Sequence, residues 1–163
     1  MKKLLFILLL YVSFIGCGQN EIQKEYYEDG TLKGEISYKD GEKNGMTKWY
    51  HQNGQLSSEV NLTDGIPNGI LKQFHENGQL GLEGKLIDNK KEGLWRWYYK
   101  NGKLKEETNY SQGVKNGSSI KYDVDGSGGK GNFKNGKQDG LWKYCLVIDE
   151  KGEHWMEINY KDG

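Results

Sequence analysis

Only one proline, Pro67, interrupts the 163 residues, and the chain has two cysteines, three histidines and no net charge, with 23 basic against 23 acidic side chains. Each shortage excludes something. A domain without a basic excess lacks the footprint of a nucleic-acid binder, so no nucleic acid is expected among its partners. The longest apolar run, Leu4 to Ile15, is 12 residues, and spanning a bilayer takes roughly 20, which disfavours a permanent transmembrane helix. No phosphate-binding loop or triad spacing is present, so no catalytic residues, cofactor or metal are expected, and the chain reads as a non-enzyme.

What is there begins with an address. Residues 1–16 have the layout of a secretory signal peptide: Lys2 and Lys3, the apolar run, then Gly16 before Cys17. The stretch "FIGC" resembles the lipobox of bacterial lipoproteins, although Phe14 stands where that family more often has Leu. The resemblance implies diacylation of Cys17, a lipidated tether over 17–24, and a lipid-anchored membrane protein of the cell envelope. Gly18, in place of the Asp tied to inner-membrane retention, implies the outer membrane. Two or three acyl chains anchor firmly where one binds marginally. Removing 1–16 leaves 21 basic against 23 acidic residues. With Cys17 acylated, Cys145 has no disulfide partner, so stability must come from packing and strand pairing.

The rest of the chain repeats itself. Glycines recur at 45, 69, 93, 117, 140 and 163, and a second series runs 30, 54, 78, 102 and 126. A period near 24 residues is the signature of a repeat architecture. Rings follow the same period at Tyr26, Tyr50, Phe74, Tyr98 and Tyr122, and leucines at 32, 56, 80 and 104. The Asp-Gly and Asn-Gly pairs at 29–30, 53–54, 77–78, 101–102 and 125–126 predict type I′ hairpins, with longer second turns handing each hairpin to the next. The segments between turns are too short for a helical solenoid. We expect an all-β, antiparallel meander of about six β-hairpin repeats (22–45, 46–69, 70–93, 94–117, 118–140 and 141–163) forming an elongated single-layer sheet on the order of 55 Å long. Its 11 Tyr and 5 Trp would cover the faces.

The unit "GLWRWYYKNGKLKEETNYSQGVKNG", Gly93 to Gly117, resembles the MORN repeat, in the variant form found in bacterial proteins labelled YwqK-family antitoxins. The resemblance covers roughly 25–163 and implies a protein that neutralises a protein toxin by binding it. An alternative is a structural envelope scaffold that self-associates or binds lipid or glycan.

Three groups of residues invite chemistry. His51 and His75 stand in equivalent positions, but adjacent hairpins put them roughly 9.5 Å apart, too far to share a zinc whose ligands sit ~2.0–2.1 Å away. Glu35, Glu59, Glu83 and Glu107 form a column that reads as a charge ladder. Asp123 to Lys134 matches the first half of a calcium loop, but Lys134 replaces the bidentate Glu at its end, so it reads as a degenerate repeat that would bind calcium weakly at best.

Binding is expected where the copies disagree. The second and fourth residues after the connecting Gly vary most and share one face, which makes Trp49, Trp95, Trp97, Trp142 and Tyr144 the candidate protein-binding residues. These rings could equally cover the sheet from that side. The last strand, near His154 to Tyr160, offers an edge for a partner strand or a second copy, giving a possible homo-oligomer.

Overall fold

The computed structural model describes residues 20–149 and 152–161, all of it strand, turn and connecting loop. Cys17 and the signal segment 1–16 lie outside the described residues. The strands are β1 (Asn20–Tyr26), β2 (Leu32–Lys39), β3 (Glu42–Lys43), β4 (Gly45–Tyr50), β5 (Leu56–Thr63), β6 (Ile66–Pro67), β7 (Gly69–Phe74), β8 (Leu80–Ile87), β9 (Lys90–Tyr98), β10 (Leu104–Ser111), β11 (Val114–Tyr122), β12 (Gly128–Lys134), β13 (Lys137–Asp149) and β14 (Gly152–Tyr160). All belong to one antiparallel meander, twelve strands across in chain order, with the two-residue β3 and β6 appended to β2 and β5. The meander is the expected fold. Residues 20–24, expected in the tether, are instead part of β1, paired with β2.

The turns exchange the roles predicted for them. In the loops at 29–30, 53–54, 77–78, 101–102 and 125–126 only the glycines have positive φ, as at Gly54 (83°). Gly54 N–H donates to His51 O and His51 N–H to Gln55 O, which closes a three-residue loop ending in a left-handed glycine. Asn53 Oδ1 accepts from Gln55 N–H at 3.0 Å, an Asx bond that holds the Asn itself out of the left-handed region. The two-residue type I′ turns are the other set, where both central residues have positive φ: Asp40-Gly41, Asp64-Gly65, Asp88-Asn89, Gln112-Gly113 and Asn135-Gly136.

Each face of the sheet has its own composition. One carries a row of charges set by register. Lys24 faces Glu35, Glu35 faces Lys48, Lys48 faces Glu59, Glu59 faces Lys72, Lys72 faces Glu83, Glu83 faces Arg96 and Arg96 faces Glu107. Opposite charges therefore alternate over eight strands, the cross-strand arrangement that stabilises a sheet most simply. The alternation then breaks: Glu107 faces Ile120, Ile120 faces Lys130, Lys130 faces Lys143, and Lys143 faces Glu157 at the far end.

The other face holds the core: Ile36, Leu62, Leu86, Trp95 and Trp142, with buried Thr47, Thr108 and Ser119. Three of the tryptophans fit a single layer because a glycine lies beneath the ring. A Cβ on Gly34 would come within 2.6 Å of the Trp49 ring, and one on Gly84 or Gly131 would overlap Trp95 or Trp142. The indole N–H groups then reach carbonyls, Trp95 donating to Lys85 O (3.1 Å) and Trp142 to Asn132 O (3.0 Å). Thr108 and Ser119 satisfy each other across the strands, Oγ1 to Oγ at 2.7 Å. Thr47 stands opposite Val60, and its hydroxyl is buried with no hydrogen-bond partner. An unmade buried bond is expensive, so Thr47→Val should stabilise the fold by about 1 kcal/mol, read as a higher urea midpoint.

Candidate functional site

Successive hairpins are fastened to one another at both ends of the strands. At one end a side chain from each repeat reaches a carbonyl 23 residues on: Tyr27 O–H donates to Tyr50 O (2.7 Å), His51 Nε2–H to Phe74 O (2.9 Å), His75 Nε2–H to Tyr98 O (3.0 Å) and Tyr99 O–H to Tyr122 O (2.7 Å). At the other end the type I′ turns stack, Gly65 N–H donating to Lys43 O and Gly113 N–H to Lys91 O. The two histidines are therefore inter-repeat fasteners, each committed to a carbonyl. Since tyrosine does the same work at 27 and 99, His75→Tyr should be nearly neutral. His75→Phe removes the donor and should cost about 1 kcal/mol in denaturant unfolding.

The glutamate column is occupied by the charge row. Arg96 Nε donates to Glu107 at 2.8 Å, and its Nη1 lies 3.7 Å from Glu83. Glu35 accepts from Tyr50 O–H (2.9 Å) and pairs with Lys24 (3.3 Å). The Tyr50 bond first, and Lys24 after it, hold the Glu35 carboxyl below its ordinary value of 4.5. A depressed carboxylate contributes stability that is complete above the unfolded value and lost as pH falls through the folded one. Unfolding stability should therefore decline as pH drops below about 4.5, and Glu35→Gln should flatten that decline.

Asp123 to Lys134 folds as a hairpin with the same closure as the other copies: Asp123 N–H donates to Ser127 O and Gly126 N–H to Asp123 O. Lys134 ends β12, Asp123 pairs with Lys121 (3.2 Å), and Asp125 accepts both N–H and O–H of Ser127. Among the described residues no cluster of His, Cys, Asp or Glu is arranged to hold a metal.

The five candidate binding residues do not share one environment. Trp95 and Trp142, at 1% and 5% exposure, are core, so variation between copies marked a packing site there rather than a surface. Trp49, Trp97 and Tyr144 are half-buried. Trp95, Trp97 and Tyr110 form a cluster with centroids 6.1–6.4 Å apart. The Lys91 ammonium sits 4.6–5.0 Å from all three centroids. Burial pushes its pKa down, while the rings' negative faces compensate the charge. In the next copies Trp142 stacks on Tyr144 (5.9 Å, 24°) and meets Phe133 edge-on (5.1 Å, 82°). Tyr144 Oη accepts from Gln138 (2.9 Å).

Between these clusters the packed face opens into a trough of about 400 Å³. Its cause is local. Along the row in which Leu82 faces Trp97, the next strands bring Glu106, Lys121 and Gly129 before Tyr144 restores a ring. Ser119, Trp142, Phe133 and buried Cys145 line the trough with the glycines, while Glu106, Lys115, Lys121 and Asp123 form a rim bearing both signs of charge. The rim charges are paired, Lys115 with Glu106 at 3.0 Å and Lys121 with Asp123 at 3.2 Å. The sequence reading missed Glu106 and Lys115. Their signal was present in the substitution of Lys121 for a column tryptophan and of Gly128 for a column leucine.

Four stretches of the chain, 22–40, 43–64, 67–80 and 91–112, match the model of the MORN repeat variant. These four stretches are similar to MORN-variant repeats. No curated protein matches the chain significantly. Repeats of this kind make a repeat-type binding protein, and the hairpin geometry of the matched MORN units continues without a break through β11 to β14. Most of the trough is built by the strands after residue 112, outside the matched stretches.

Proposed function

We propose that this is a lipid-anchored, non-catalytic binding protein of the bacterial cell envelope that neutralises a protein toxin, as an antitoxin or immunity protein does, by seating part of it in the trough and masking its surface. The observation that carries the reading is the trough: an aromatic and glycine floor, about 400 Å³, with paired charges of both signs around it. That space suits one or two large side chains projecting from a partner. The rim pairs can exchange partners without leaving a buried charge unpaired. The anchor rests on Gly16-Cys17, and envelope exposure favours an incoming toxin over a cytoplasmic one.

Co-purification from membranes with a protein encoded nearby, together with rescue from that protein's toxicity, is the expected result. Failure to rescue despite good expression would sink the toxin reading. Mass spectrometry should find an acylated N-terminus at Cys17, and an unmodified thiol there would remove the anchor.

A further inference from the structure

The charge row ends in opposite signs, Lys24 on β1 and Glu157 on β14, and among the described residues these two strands are the edges of the sheet. Every residue of β1 is exposed. Large apolar side chains stand open on both edges, Ile22 and Tyr26 on one and Trp155 and Met156 on the other. Because the meander is twelve strands across, β14 runs antiparallel to β1, and a second copy set beside β14 would continue the same alternation of strand direction.

We propose that copies of this chain associate head to tail, the β14 edge of one pairing antiparallel with the β1 edge of the next in the register that puts Glu157 opposite Lys24. The inference does not rest on the binding reading, since the trough is lined by β10 to β13 and the loop after β11, and neither edge strand contributes to it. In this register Tyr26 falls opposite Trp155, Gln23 opposite Ile158 and Glu25 opposite Met156. Along Asn20–Tyr26 no like charges meet, and the row reads Lys143, Glu157, Lys24, Glu35 across the junction.

A symmetric β1–β1 pair cannot do this. Keeping the same face outward requires opposed residues to share sequence parity. Lys24 therefore never meets Glu21 or Glu25, whereas those two acids can be brought opposite each other or themselves. Charges on an edge strand commonly block indiscriminate pairing. Here they would also select one partner edge, the combination that gives specificity. A head-to-tail contact does not close on itself, so the assembly would grow as an open chain.

Sedimentation of the purified protein across a concentration series should show species that lengthen progressively. Lys24→Glu, which sets like charges at the junction, should weaken association by about tenfold, and the double variant Lys24→Glu with Glu157→Lys should recover it to within about threefold. As a readout independent of small stability changes, copies carrying Lys24→Cys mixed with copies carrying Glu157→Cys should form the mixed disulfide in preference to either homodimer. A protein that stays monomeric throughout, a dimer that does not grow, unaltered association in Lys24→Glu, or preferential homodimer cross-links would each overturn the proposal.

Discussion

Trp95→Ala should destabilise the protein by about 3–5 kcal/mol, the range for truncating a fully buried indole. That is a large part of the ~5–15 kcal/mol that holds a typical domain together. The side chain is 1% exposed, donates its N–H to Lys85 O, and packs against Trp97, Tyr110 and the Lys91 ammonium. A single-layer sheet has no second layer to close over the void, so the lost contacts are not recovered by collapse. The partner variant is Gly84→Ala. A Cβ there would overlap the Trp95 ring atoms, and such overpacking costs about 1–3 kcal/mol. The two effects share one cause, so they should not add. With the indole gone the alanine methyl occupies part of the vacated space, and Gly84→Ala should cost little or even stabilise in the Trp95→Ala background. A double-mutant cycle in urea measures this coupling. Full additivity would mean that the ring does not need the glycine beneath it.

That ring-on-glycine device shows what the sequence disclosed and what it hid. The 24-residue spacing of Gly, Leu and Tyr was enough for the meander and its strand order, because each copy repeats a complete hairpin. Turn type was less legible. Asn-Gly fits both a type I′ turn and the end of a three-residue loop, and the choice at 53–54 falls to the Asx bond from Asn53 to Gln55. The role of the tryptophans was open in the sequence for a related reason. Variation between copies fits a partner surface and a packing site alike, and Trp95 is the packing case because its ring lies over Gly84. Trp49 with Gly34 and Trp142 with Gly131 follow the same rule, but seeing it requires the register between neighbouring strands. The trough was further from view, since it needs three strands in register to bring Glu106, Lys121 and Gly129 into line.

Filling the trough tests the proposed function most directly, and Lys121→Trp does so with a residue the scaffold already accepts. Position 121 lies 24 residues after Trp97 and faces Glu106 on one side and Gly129 on the other. An indole there rebuilds the neighbouring copy's pattern. The substitution removes the Lys121–Asp123 pair, whose side chains are about half exposed (54% and 49%), so the loss is small, at most about 1 kcal/mol. Added apolar burial offsets it, and urea unfolding should place the variant within about 1 kcal/mol of the parent. Binding of the co-purifying partner should nevertheless fall by about 100-fold or more, because a side chain now occupies the space its anchor residue would enter. Lys121→Ala separates shape from charge: it leaves the trough open and should weaken binding no more than about tenfold. A Lys121→Trp protein that folds normally and still holds its partner with undiminished affinity would show that the partner docks elsewhere, and the trough would lose its role.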